Sequence, residues 1–171
     1  MTDTKAFDIP IRNSVDVVLA RQEGRAMARD LGFGSADQTR LATAISELAR
    51  NVVQYAHSGR CYIEDISSVR FMEVRVVVTD TGPGIADLEE ALQDGFSTGG
   101  GLGAGLPGTR RLVHSFEIRS SPEETRIEIT VRRRRADFSS FTPQEGPDGS
   151  QDGYEEIQTV GFVAERVDLR E

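Results

Sequence analysis

Apolar residues recur through positions 14–31 at Val15, Val18, Leu19, Met27 and Leu31, with charged residues between them. This spacing predicts an amphipathic helix capped by Ser14 and ended by Gly32, with Gly24 weakening its middle. A second helix begins at Ser35, with Ser35 or Asp37 as its cap. Its apolar stripe of Leu41, Ile45, Leu48, Val52 and Tyr55 follows a 4-3-4-3 spacing, the mark of a helix packed on a core. Strands are predicted at 7–11, where Pro10 confines the segment to an edge or an end, and at 59–67 and 71–79, with Ser68, Val69 and Arg70 as a hairpin turn. Residues 86–93 read as one or two helical turns. L-P-G-T-R-R-L-V-H reads as a helix with Pro107 in its first turn. Two last strands, 116–120 and 126–131, are joined at Pro122.

The stretch 80–108 fits neither period. It reads D-T-G-P-G-I, a spacer, then F-S-T-G-G-G-L-G-A-G-L-P-G, and holds nine of the chain's 17 glycines. Glycine lets successive backbone N–H groups close around an anion, and a helix start behind them adds unpaired donors. A structureless linker would mix glycine with serine and charge, whereas here Leu102, Ala104 and Leu106 alternate with it. A Walker loop needs a lysine after its last glycine, and the chain's only lysine is Lys5. G-L-G-A-G-L matches a dinucleotide fingerprint loosely, but that loop would follow the first strand. The stretch is read as a nucleoside triphosphate site, with residues 86–98 as a lid hinged at Gly95, Gly99, Gly100 and Gly101.

Candidate chemistry lies on both sides of it. On a wheel of about 100° per residue, Glu47 and Asn51 fall about 40° apart on the flank of the second helix's stripe, with Arg50 nearly opposite. Taken alone they are a polar pair one turn apart. Beside a triphosphate, an asparagine oxygen can hold Mg²⁺ and a carboxylate can take a proton. Asp80, at a strand end, can accept a hydrogen bond from adenine's amine, where guanine presents an acceptor. His57 and His114 end their helices, and two separated histidines make no zinc site.

Composition narrows the class. With 171 residues and 37% apolar content, the chain supports one cored domain with an appendage and shows no membrane-length apolar run or signal peptide. Cys61 is the only cysteine and is read as a small apolar strand residue, so the cytoplasm is expected. Residues 1–135 hold 18 basic and 19 acidic side chains, and residues 136–171 hold 2 and 9, so nearly all of the net charge of −8 sits in the tail. This balance disfavours nucleic acid, and the run Arg132 to Arg135 is read as a solvated strand end. The chain is divided into a domain at 1–135 and an acidic, partly disordered extension at 136–171. Residues 154–169 are open to either added structure or a partner-binding peptide.

E-L-A-R-N on a helix, D-T-G-P-G-I after a strand and G-L-G-A-G-L-P-G before a helix together resemble the GHKL ATPases. Within them, A-I-S-E-L-A-R-N and G-L-P-G-T-R-R-L are similar to the RsbT-type serine/threonine switch kinases and their RsbW-type anti-sigma relatives. The resemblance covers about residues 7–134. It implies an α/β fold of the Bergerat type, a two-layer sandwich whose mixed, mostly antiparallel sheet is covered on one face by helices. It implies ATP and Mg²⁺, with Glu47 as catalytic base, Asn51 on the metal and Asp80 on adenine in a turn shaped by Gly82 and Gly84. Gly101, Gly103 and Gly105 would cradle the phosphates, with Ser97, Thr98, Leu102 and Ala104 grouped with them. Thr125 corresponds to a threonine that helps to hold adenine, although Glu124 stands where the family has glycine. The implied activity is phosphorylation of a serine or threonine on a STAS-domain antagonist or scaffold, with a PPM-type phosphatase or a sigma factor as further partner. The alternative is an anti-sigma or phosphatase-activating binding module in which ATP is mainly structural.

Overall fold

The computed structural model describes residues 5–93 and 105–135. Five strands, β1 (Ala6–Ile11), β2 (Gly59–Asp65), β3 (Phe71–Asp80), β4 (Ser115–Ser120) and β5 (Thr125–Arg134), form one sheet in the order β1-β2-β3-β5-β4. Among the described residues every pairing is antiparallel. The helices are α1 (Ser14–Asp30), α2 (Ser35–Asn51), α3 (Leu88–Ala91) and α4 (Gly105–Leu112). This is the expected α/β sandwich. The connection from β3 carries the glycine motifs and returns at the sheet edge as β4, and β5 then folds back between them.

Period-two alternation explains why one face is covered. Ile9, Ile11, Cys61, Ile63, Val74, Val76, Val78, Ile127, Ile129 and Val131 are buried in one core with the helices. The opposite face is laced with ion pairs, Arg60 to Asp8, Arg75 to Glu64 and Arg126 to Glu128. A buried Ile or Val contributes roughly 1.5–3 kcal/mol, whereas an exposed pair contributes about 0–1 kcal/mol. The covered face therefore sets the register. Cys61 lies in β2 as expected, with burial pushing its thiol up to about 12. The arginines after Val131 are more engaged than a solvated strand end. Arg132 and Arg134 stack over Phe71, Arg133 pairs with Asp37, and Arg135 donates to the Ser68 carbonyl.

Three local expectations are corrected. The cap of α1 is Asn13, whose Oδ1 receives the N–H groups of Val15 and Asp16, because Ser14 is already helical. Met27 is buried and Leu31 packs partly against the core as expected, but Val15, Val18 and Leu19 are exposed, and α1 buries Val17, Ala20, Gly24 and Ala28 in their place. The reason is close packing: a Cβ on Gly24 would overlap Ile45, so the small residues face α2. Helix α2 starts from Gly34 without a side-chain cap, and Asp37 is a buried helical residue held by Arg133 and Arg40.

Candidate nucleotide and phosphotransfer site

Helix α2 ends at Asn51 and continues as one wider, π-type turn, Val52–Ala56, before His57 at φ 64°. Nothing in the apolar spacing signals that turn. By adding width it rotates later residues off the stripe, so Val52 is buried while Tyr55 is 46% exposed. The turn has a place to fit. A Cβ on Gly82 would sit 2.6 Å from the Cβ of Ala56, so the glycine is what lets the D-T-G-P-G loop press against the end of α2. On the other side, a Cβ on Gly59 would lie 2.7 Å from Val52 Cγ1. Asn51 and the Asp80 loop are thereby brought to the same end of the molecule.

The strands meet that end in a single rung. Gly59 pairs with Asp80, Asp80 with Thr125, and Thr125 with Ser120. Asp80 Oδ1 accepts the N–H of Gly82 at 2.9 Å. Burial raises the pKa of Asp80, Gly82's N–H lowers it, and the nearby charge of Glu124 raises it further. Gly84 holds a φ of 78°, and the next residue, Ile85, donates its N–H to Ser120 Oγ at 2.8 Å. Glu124 closes the β4–β5 turn, its backbone carbonyl accepting the N–H of Ser121 at 2.9 Å. Thr125 is buried beside Asp80.

Glu47 is largely buried, its side chain 14% exposed, and Arg50 Nη1 reaches Glu47 Oε1 at 2.5 Å. Arg50 thus does not point away from the pair: three residues on, its long side chain spans the gap. Helix α4 begins at Gly105, with φ 61°, and packs on α2. Thr109 is fully buried and bonds the Gly105 carbonyl at 3.0 Å. Ser97, Thr98, Gly101, Leu102, Gly103 and Ala104 lie outside the described residues. His57 directly follows the π turn as expected, whereas His114 lies two residues past the end of α4, in the bend before β4, where its Nδ1 accepts the N–H of Arg132. Sequence reasoning missed Gly59, Ser120 and the π turn. Only Gly59 left a trace, as a glycine opening a strand.

Residues 36–135 match the family described as histidine kinase-, DNA gyrase B- and HSP90-like ATPase, and the chain belongs to that family. It is 48% identical over 112 residues to the serine/threonine-protein kinase RsbT of Bacillus subtilis (strain 168), covering 66% of this chain and 84% of that protein. Within the ATPase family, the chain groups with the RsbT-type serine/threonine protein kinases, the enzyme class implied by its motifs. The mycobacterial sensor histidine kinase MprB aligns with 18% identity and a TM-score of 0.47 over 77% of this chain and 97% of the MprB chain. Among the described residues, no helix is long and apolar enough to cross a membrane.

Proposed function

We propose that this chain transfers the γ-phosphate of ATP to a serine or threonine of a STAS-domain partner in a bacterial partner-switching pathway. One observation carries the reading: the end of α2, with Glu47 and Asn51, is fitted through Ala56 and Gly82 onto the loop that begins at Asp80. Asp80 receives the adenine amine on Oδ2, since Oδ1 already holds the N–H of Gly82. Thr125, its rung partner, stands beside it on the same edge of the base. Gly101, Gly103 and Gly105 offer N–H groups to the phosphates, with Ser97, Thr98, Leu102 and Ala104 in the same segment.

Asn51 would supply the chain's oxygen to Mg²⁺. The donor chemistry fits, because a hard, neutral amide oxygen suits a cation held mostly by phosphates and waters. Among the described residues, no group of three or more His, Cys, Asp or Glu side chains offers a competing cage. When bound, Mg²⁺ neutralises phosphate charge. In the transfer, the substrate hydroxyl oxygen bonds to the γ-phosphorus, the bridging bond to the β-phosphate breaks, and ADP leaves. Glu47 takes the hydroxyl proton, and Arg50 fixes the direction of its carboxylate.

The domain at 1–135 carries this chemistry in the cytoplasm, and the extension at 136–171 stands outside it. A PPM-type phosphatase or a sigma factor is the partner released or captured by the switch. The test uses purified chain, MgATP and a STAS-domain protein, with phosphoserine or phosphothreonine mapped by mass spectrometry. Glu47→Ala should keep ATP binding and lose roughly 10²–10⁴-fold in transfer rate. Unchanged transfer in that variant would remove Glu47 as the base. Wild-type protein without nucleotide uptake would end the reading altogether.

A further inference from the structure

Ser120 closes the rung at the outer edge of the sheet, and neither the motifs nor the family comparison gives it a task. Among the described residues, its hydroxyl has two hydrogen-bond partners, the N–H of Ile85 at 2.8 Å and Thr125 Oγ1 at 2.9 Å. A hydroxyl owns one hydrogen and two lone pairs. Since Ile85 can only donate, Ser120 accepts there and its own hydrogen is available to Thr125. That direction leaves the hydrogen of Thr125 unused, on a buried residue facing Asp80 across the ladder. The opposite direction would make Ser120 accept twice; a ring-nitrogen acceptor set against Thr125 selects the first direction, in which both hydroxyl hydrogens have partners.

We propose that Ser120 is a positioning residue for base recognition, anchoring the loop at Ile85 and turning the hydroxyl of Thr125 into a donor beside the acceptor Asp80. The pair then matches adenine, whose amine donates and whose adjoining ring nitrogen accepts. Guanine presents the reverse order and is refused twice. The inference rests on the reading that the Asp80 loop holds the base. It adds a residue that sets the ATP-over-GTP preference without touching the nucleotide.

The experiment is equilibrium titration of the full chain with ATP and with GTP in magnesium buffer, for wild type, Ser120→Ala, Ser120→Thr and Asp80→Asn. Ser120→Ala should weaken ATP binding about five- to tenfold while GTP binding hardly moves, so the preference falls by that factor. Ser120→Thr, which keeps the hydroxyl, should restore it, and the transfer rate at saturating ATP should not change in either variant. An equal loss for both nucleotides, or an unchanged ratio, overturns the proposal. If Asp80→Asn loses ATP while Ser120→Ala keeps its preference, only the role of Ser120 falls. If Asp80→Asn binds ATP like wild type, the base pocket is misplaced and Ser120 falls with it. Should Ser120→Ala fail to fold, Ser120→Cys carries the test, with a selective loss of ATP expected and a retained ratio overturning the idea.

Discussion

Burial pushes the carboxyl of Asp80 towards its neutral form, the N–H of Gly82 pulls the other way, and the charge of Glu124 adds to the burial effect. A carboxyl whose folded pKa is raised favours the folded state below its unfolded pKa, about 3.9, and loses that contribution as pH rises through the folded value. At neutral pH the charged group therefore costs stability at the position where the proposed base contact needs a charge. Asp80→Asn keeps the shape and the acceptor for Gly82 but removes the charge. It should raise the thermal midpoint at pH 7, with the gain fading below about pH 4, while ATP binding is lost. Melts at two pH values and one ATP titration check this. A variant that loses stability at pH 7 would mean that Asp80 has a structural partner outweighing its burial.

Helix α2 is held at both ends by contacts far away in the chain. At its end the π turn rests on Gly82, and at its start Asp37 is clamped by Arg133, 96 residues on. Asp37 is 8% exposed and Arg133 43% exposed, so solvent weakens the pair without dissolving it. The Arg133 hydrogen bond, ahead of the Coulombic pull of Arg133 and Arg40, lowers the pKa of Asp37 against the cost of burial. The sign here is opposite to that at Asp80: the stabilisation is present above the unfolded pKa of about 3.9 and is lost as pH falls through the lower folded value. Asp37→Ala should cost about 1–2 kcal/mol at pH 7 and progressively less as pH falls below about 3.9, read from urea midpoints. An equal cost above and below that pH would assign the loss to packing. The helices were legible as far as period and turn residues reach. What the period hid was which side of α1 is inward, because Ala20, Gly24 and Ala28 bury closely without looking apolar enough to define a stripe.

For the whole molecule, local chemistry revealed the parts, and only the sheet order revealed how they meet. The glycine run and the aspartate at the strand end single out this stretch as a candidate nucleotide site from the sequence alone. The rung from Gly59 through Asp80 and Thr125 to Ser120 needs the crossover and cannot be read from neighbours in sequence. Ser120 and Ile85, 35 positions apart, are a case in point. The same topology carries the described end of the sheet away from the site. Strand β5 runs from Thr125 on the rung to Arg134, opposite Phe71 at the far end of β3. At about 3.4 Å per residue, the chain leaves the sheet roughly 30 Å from the base loop. The extension adds −7 of the net charge of −8, and at physiological salt a charge repels a triphosphate appreciably only within about 8 Å. Removing residues 136–171 should therefore leave ATP affinity within about twofold at physiological salt. Titration of the truncated and full chains decides it. A tenfold loss would mean that the extension returns along the sheet to the nucleotide end, against the direction in which β5 sends it.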